Sequence, residues 1–381
     1  MKIIKMLKTI ICIAIIGGFV ACDTDPEALE IQSIHQVIPK KSDEYYANLR
    51  AWKATRPEFG FGWFSGFTGK ATLQGSMYNI PDSIGIISIW GGFRGGFNDP
   101  DADPIQIEEM HHYQKVCGTK IIKTYLIESY FHLDWEDNTK SELQLMQEQW
   151  GWDDGAIRPS DRYVAVTPAQ EGAIRAFARS IAEEAIARGY DGVDIDHEPN
   201  VGGGLKPYAL GGYWNRNFVF FDELSKYFGP KSGTDRILAI DGEYYAYIPK
   251  EVGPMLDYVI AQAYNCSAYG PVGSNNSLDY RINRLYTTFP DIPQKKLASM
   301  FIVAENFESY AQNGGNTNFL NRDGTRNVSS IGMAKWQPLA DGVEVRKGGA
   351  GTYHMEYEFN FYKDYRWLRE MISIMGQHTN D

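Results

Sequence analysis

Cysteine is scarce in this chain. Only Cys12, Cys22, Cys117 and Cys266 occur among 381 residues, too few for a disulfide framework, and Cys117 and Cys266 are expected as free thiols. Positive charge is also in deficit. Thirty-seven Lys and Arg against 48 Asp and Glu give a net charge of −11, which argues against nucleic acid or an anionic membrane surface as partner. No nucleotide fingerprint is present: Gly60-Phe-Gly62 lacks a third glycine at the right offset, and Gly69-Lys70 is followed by Ala71 where a phosphate loop needs Ser or Thr. There is no His-Glu-x-x-His, and the adjacent His111 and His112 face different directions on a helix, so neither a metal nor another cofactor is expected. Internal repeats and low-complexity tracts are missing as well.

An apolar run over residues 10–20 follows Lys2, Lys5 and Lys8 and is too short for a spanning helix, so it reads as an export signal. It closes on Gly18-Phe19-Val20-Ala21-Cys22, which resembles a bacterial lipoprotein box, with Phe19 where Leu is usual. The resemblance implies cleavage before Cys22 and lipid on that cysteine. The acidic start Cys22-Asp-Thr-Asp-Pro-Glu27 is similar to export tags of Bacteroidetes surface lipoproteins, so an outer-membrane, surface-exposed location is expected. The organisation expected is a signal at 1–21, a tether with a short helix (42–53) at 22–54, and one domain over 55–381.

Beyond residue 55, strand-like and helix-like segments alternate. Strands are expected at 60–64, 84–90, 120–127, 189–196, 236–241, 258–264, 296–303 and 351–355, with helices at 105–116, 168–188, 214–228, 277–289 and 362–375. The clearest helix carries Ile174, Phe177, Ala178, Ile181, Ala185 and Ile186 at helical spacing. Thr167-Pro168 supplies its cap and Gly189 its stop. Eight such repeats imply parallel pairing and a closed (β/α)8 TIM barrel, class α/β; an open doubly wound sheet is the alternative.

The chain is organised around residues 190–198, Tyr-Asp-Gly-Val-Asp-Ile-Asp-His-Glu. On a strand, Asp194, Asp196 and Glu198 line one face, with Val193 and Ile195 on the other. Three like charges resist ionising together, which suits a site that keeps a carboxylic acid near neutral pH. A solvated acidic edge strand is the bland alternative.

The run Asp191-Gly-Val-Asp-Ile-Asp-His-Glu198 resembles the Asp-Gly-x-Asp-x-Asp-x-Glu signature of glycoside hydrolase family 18. The family contains chitinases and endo-β-N-acetylglucosaminidases on a (β/α)8 barrel. The resemblance implies that Glu198 is the general acid and that Asp196 orients the substrate's own N-acetyl group, which attacks the anomeric carbon. Asp194 would hold Asp196 and share a proton with it. This is the substrate-assisted exception to the two-carboxylate scheme. Gln262-Ala-Tyr264-Asn265 resembles the Gln-x-Tyr of the endo-β-N-acetylglucosaminidases, which implies that Tyr264 bonds the N-acetyl carbonyl and that Gln262 and Asn265 line the substrate. An ordinary strand end is the alternative for these residues.

Two departures disfavour a chitinase: segment 121–128 lacks the Ser-x-Gly-Gly of chitinases, and Tyr353 stands where they place Trp. The expected activity is retaining hydrolysis of the GlcNAc-β-1,4-GlcNAc bond of an N-glycan core, by a monomer. Alternatives are a silent barrel that only captures glycans, a chitinase, and a double-displacement glycosidase with Glu198-Pro199 as acid and Glu305 as nucleophile. Asp241, Glu243 and Glu305 would bind sugar hydroxyls or be rim charges. Trp63, Trp90, Phe93, Trp336 and Tyr353 would stack on sugar faces or sit in the core.

Overall fold

A computed structural model describes residues 41–67, 72–91, 104–127, 139–153, 162–201, 209–270 and 276–378. The signal, Cys22, most of the tether and Phe93 lie outside them. Residues 41–381 form one compact unit. Its barrel strands are β1 (Phe59–Phe64), β2 (Ile86–Ile89), β3 (Lys120–Leu126), β4 (Gly192–His197), β5 (Ile237–Gly242), β6 (Tyr258–Gln262), β7 (Phe301–Asn306) and β8 (Gly349–Tyr353). Each pairs in parallel with its neighbours, and β1 pairs with β8 to close the ring. This is the (β/α)8 barrel that the alternation implied.

Among the described residues, the α-helices of seven residues or more are α1 (Asp43–Ala54), α2 (Pro104–His111), α3 (Glu142–Trp150), α4 (Pro168–Ala187), α5 (Trp214–Leu224), α6 (Leu278–Thr288), α7 (Gln294–Met300), α8 (Ser329–Lys335) and α9 (Arg366–Gly376). Helix α4 begins as expected. Thr167 Oγ1 accepts from Gln170 N at 3.1 Å, and Gln170 Oε1 accepts from Thr167 N at 3.2 Å, a reciprocal cap that satisfies two orphan donors. Its buried stripe, Ile174, Phe177, Ala178, Ile181 and Ala185, packs into the main core between helices and strands.

A second apolar cluster fills the barrel interior. Phe61, Trp63, Ile86, Ile122, Ala239, Ile260, Ile302 and Ala304 belong to it. Burying this much aliphatic and aromatic surface is the main stabilising term of the barrel. Toward the carboxyl ends of the strands the interior turns polar, with Ser88, Thr124, Asp194, Asp196 and Asp241 all buried. That change of character places the site.

Three expected strands are displaced, and one of them is the fourth, expected at 189–196 and found at Gly192–His197. Residues 296–300 belong to helix α7, and β7 starts only at Phe301. Leu297, Ala298 and Met300 are buried like strand residues, and a short apolar run does not distinguish helix from strand by period alone. The last strand starts two residues earlier than expected, because Gly348–Gly351 reads as a loop in sequence. A Cβ at Gly351 would lie 1.9 Å from Phe61 O, so glycine here permits β8 to approach β1 closely.

Candidate active site

Strand β4 ends in the acidic ladder. Asp194 and Asp196 point into the barrel and are 0% and 4% exposed, and Glu198 follows one residue past the strand. Asp194 Oδ2 is the collecting point of three neighbouring strands. Trp63 Nε1 on β1 donates to it at 2.9 Å, and Ser88 Oγ on β2 and Thr124 Oγ1 on β3 lie 3.1 and 3.4 Å away; these two hydroxyls are 2.6 Å apart, so one donates to the other and the second to the carboxyl. Burial pushes the Asp194 carboxyl up to about 6, against the pull of these donors. On the other side of β4, Asp241 of β5 stands beside Asp196 in the parallel register. Burial, then the charges of Asp196 and Asp194, hold Asp241 well above the usual carboxylate range. Asp194's acidic hydrogen-bond partner is thus Asp241.

Gln262, the last residue of β6, ties the two layers together. Its Nε2 donates to Asp241 Oδ1 at 2.9 Å and lies 3.5 Å from Asp196 Oδ1. Tyr264 follows past the strand end and stacks on Tyr353 of β8, with ring centroids 5.7 Å apart and planes at 28°. Burial, then Asp241 and Asp196, hold the Tyr264 hydroxyl well above its ordinary pKa, so it remains a donor. Trp63, Trp90, Leu126, Asp196, Glu198, Asp241, Gln262, Tyr264 and Tyr353 line one cleft of about 220 Å³. Among the described residues, three carboxyls and no Lys or Arg face this space. A larger depression of about 750 Å³, lined by Tyr163, Trp214 and Arg284 among others, lies on the outer flank and contains none of the acidic cluster.

Several expected sugar contacts have other duties. Trp336 is 4% exposed and sits under the barrel wall, its ring 6.3 Å from Phe301 and its Nε1 donating to Asp279 at 2.9 Å. It has no face for a sugar. Glu305 lies inside β7, fully buried, not beyond the strand. It accepts from Asn265 N at 2.7 Å, from Asn306 N at 2.8 Å and from Ser329 Oγ. A Cβ at Gly315, where φ is +102°, would lie 2.0 Å from that Ser329 Oγ, so glycine is required at this crossing. Glu305 therefore anchors the turn after Tyr264, where Asn265 adopts φ +51°, and is placed neither as a nucleophile nor as a hydroxyl ligand. Glu243 grips the loop after β4, accepting from Asn200 N at 2.8 Å and Nδ2 at 3.1 Å.

Trp63 is only 2% exposed and serves Asp194 more than an open cleft. Trp90 and Tyr353 are half-buried at the mouth, with rings 5.9 Å apart. Asn265 is exposed and accepts from Asn316 Nδ2 through its Oδ1 at 3.1 Å. Leu126, 43% exposed at the end of β3, was not singled out from sequence; an aliphatic residue ending an apolar strand carries no local signal. Ser88 and Thr124 were also missed, although a lone hydroxyl at an inward position of an apolar strand is a readable one. Among the described residues no group of three or more His, Cys, Asp and Glu is arranged to hold a metal ion.

Comparison with known proteins agrees with this geometry. The sequence profile of glycoside hydrolase family 18, BT1044-like, matches residues 24–374. Endo-beta-N-acetylglucosaminidase F2 of Elizabethkingia meningoseptica is 24% identical over 352 residues, spanning 87% of this chain and 85% of that protein. A solved glutamate-to-glutamine variant of BT1044 is 25% identical, with a TM-score of 0.68 over 88% of this chain and 93% of its own. An endo-β-N-acetylglucosaminidase from Cordyceps militaris, solved with fucosyl-N-acetylglucosamine-Asn, shares the fold at 18% identity and a TM-score of 0.53, covering 89% and 97% of the two chains. A profile match that runs through the whole barrel makes this chain a member of glycoside hydrolase family 18, in its BT1044-like group.

Proposed function

We propose that the chain is a retaining endo-β-N-acetylglucosaminidase acting on the GlcNAc-β-1,4-GlcNAc bond of N-glycan cores. The observation that carries this reading is the convergence of Glu198, Asp196, Gln262 and Tyr264 on one cleft. Support also comes from the relationship to endo-beta-N-acetylglucosaminidase F2. In the proposed reaction the carbonyl oxygen of the bound N-acetyl group bonds to the anomeric carbon while the glycosidic C–O bond breaks. Glu198 gives its proton to the leaving oxygen. Asp196 accepts the amide N–H and the Tyr264 hydroxyl holds the acetyl carbonyl. Water then opens the oxazoline at the anomeric carbon, Glu198 taking its proton, and two inversions give net retention.

We further propose that the enzyme is exported, carries lipid on Cys22 and works at the outer-membrane surface, where glycoproteins are within reach. The mechanistic part is tested by proton NMR of a glycopeptide digest at early times. A newly released reducing-end GlcNAc that appears first as the β-anomer supports it; the α-anomer, or no release, refutes it.

A further inference from the structure

We infer that Asp241 is a positioning residue of this site: a neutral carboxylic acid that gives a hydrogen bond to Asp194 and, together with Gln262, keeps Asp196 as the carboxylate facing the cleft. The role given to Asp196 rests on the catalytic reading above. The location of the proton rests on the hydrogen-bond partners and orphaned oxygens of two buried carboxyls, together with the upward shift of both.

The contacts leave one arrangement. Asp194 Oδ2 is taken by Trp63, Ser88 and Thr124, and Asp241 Oδ1 by Gln262 Nε2. The oxygens left over, Asp194 Oδ1 and Asp241 Oδ2, are buried and have no donor. Yet the two carboxyls are in hydrogen-bonding contact. Two carboxylate oxygens only accept, so a proton must lie between them. Ser88 Oγ and Thr124 Oγ1 are also bonded to each other at 2.6 Å, so the Trp63 N–H and one hydroxyl proton stabilise charge on Asp194 against the single Gln262 N–H at Asp241; both groups are fully buried, so the proton belongs to Asp241. The upward displacement of both carboxyls agrees, with Asp241 the further displaced.

The surroundings make that proton useful. Asp241 faces Asp194, Asp196 and Glu198 from β4 and its end, Gln262 and Tyr264 from β6 and its end, and Tyr353 from β8; among the described residues no cation lines the cleft. Asp241 and Asp196 are paired neighbours across β4 and β5. Were both charged, the repulsion would drive a proton onto Asp196 and remove the acceptor for the substrate N–H. A neutral Asp241 takes up that proton instead. The Gln262 amide, aimed at Asp241 and lying beside Asp196, fixes the orientation of both.

The test compares wild type with Asp241→Asn and Asp241→Leu, each labelled with [13C]aspartate at the carboxyl carbon. An Asn side chain reproduces the neutral acid: its oxygen accepts from Gln262 and its amide donates to Asp194. Expected for Asp241→Asn is a kcat within about tenfold of wild type with KM unchanged, whereas Asp241→Leu, with no donor for a buried carboxylate, loses about 100-fold in kcat. In the wild-type spectrum one buried aspartate carbon should stay protonated at pH 7, and that resonance should vanish in Asp241→Asn. Two outcomes overturn the inference: Asn lowering kcat as far as Leu does, or all aspartate carbons being ionised at pH 7. If wild type cleaves no glycan, the functional proposal fails, and the spectra still decide where the proton lies.

Discussion

Trp63 Nε1 donates to Asp194 Oδ2 at 2.9 Å, linking β1 to β4 across the inside of the barrel. An indole that looked like a sugar platform in sequence is thereby the main clamp on the innermost acid of the site. Trp63→Phe keeps most of the packing against Phe61, whose ring is 4.7 Å away, but leaves Asp194 one donor short. Loss of a hydrogen bond to a buried charge costs about 1.5–3 kcal/mol, so kcat should fall roughly 10–100-fold with little change in KM. Steady-state kinetics at a pH well above 6 check this. A variant with wild-type kcat would show that the clamp is dispensable.

Glu305 gives a sharp distinction between two chemistries. It binds the backbone N–H groups of Asn265 and Asn306 and the Ser329 hydroxyl. Glutamine preserves the two acceptor bonds and can donate to Ser329, so Glu305→Gln should retain more than about a tenth of wild-type kcat, whereas Glu305→Ala frees the turn carrying Tyr264 and lowers both kcat and stability, the latter by about 1–3 kcal/mol. A nucleophile would not survive replacement by glutamine. Kinetics of the two variants, with thermal unfolding alongside, separate the cases.

His197 predicts the acid side of the stability curve. It is fully buried, its Nε2 lies 2.7 Å from Ala246 O, and burial pushes its pKa down to about 4. The unfolded chain takes up that proton near 6.5 and the folded chain only near 4, so its contribution is complete above 6.5 and is lost as pH falls toward 4. Asp194 works in the opposite sense, stabilising at low pH and losing that as pH rises through about 6. Comparing wild type with His197→Gln cancels the aspartate contribution. The difference in unfolding free energy should grow by about 3 kcal/mol between pH 4 and 6.5. Urea titrations at several pH values measure it, and a flat difference contradicts it.

The opposite end of the barrel should affect stability without touching chemistry. Lys347 Nζ is fully buried between Glu58, Ala334 O at 3.0 Å and Trp336 O at 2.9 Å. Burial pushes Lys347 down; for Glu58, burial's upward push is outweighed by Lys347 and by its hydrogen bonds to His378 and Gln337. Lys347→Met leaves the Glu58 charge buried without its ion-pair partner, which should cost about 3–5 kcal/mol. Below the lowered unfolding midpoint, kcat should match wild type. A variant as stable as wild type would show that Glu58 is protonated without Lys347.

The architecture was legible because each strand carries an apolar inner or outer face and α4 carries its own cap and stop. The acidic ladder was legible because a period of two put Asp194, Asp196 and Glu198 on one face. What escaped were facts of neighbourhood. Sequence spacing places Asp194 and Asp196 together, yet Asp194's acidic partner comes from β5, some 47 positions on, because parallel strands set Asp241 beside the ladder. Trp336 follows α8, and the turn of that helix, not the order of the chain, decides that it faces Phe301 under the barrel wall. Glu305 falls outside the strand expected at 296–303 because Leu297–Ala304, interrupted only by Ser299, reads as one apolar run across the junction of α7 and β7.

If Glu198 makes this cleft a hydrolase, intact mass shows it. Wild type and Glu198→Gln, both lacking residues 1–22, are incubated with glycoproteins carrying high-mannose and complex-type glycans. Wild type should reduce at least one of them to the protein with a single GlcNAc on its asparagine, while Glu198→Gln leaves the mass unchanged. If wild type also leaves both masses unchanged yet binds either glycan, the cleft captures glycans without cutting them and Glu198 is not a catalytic acid.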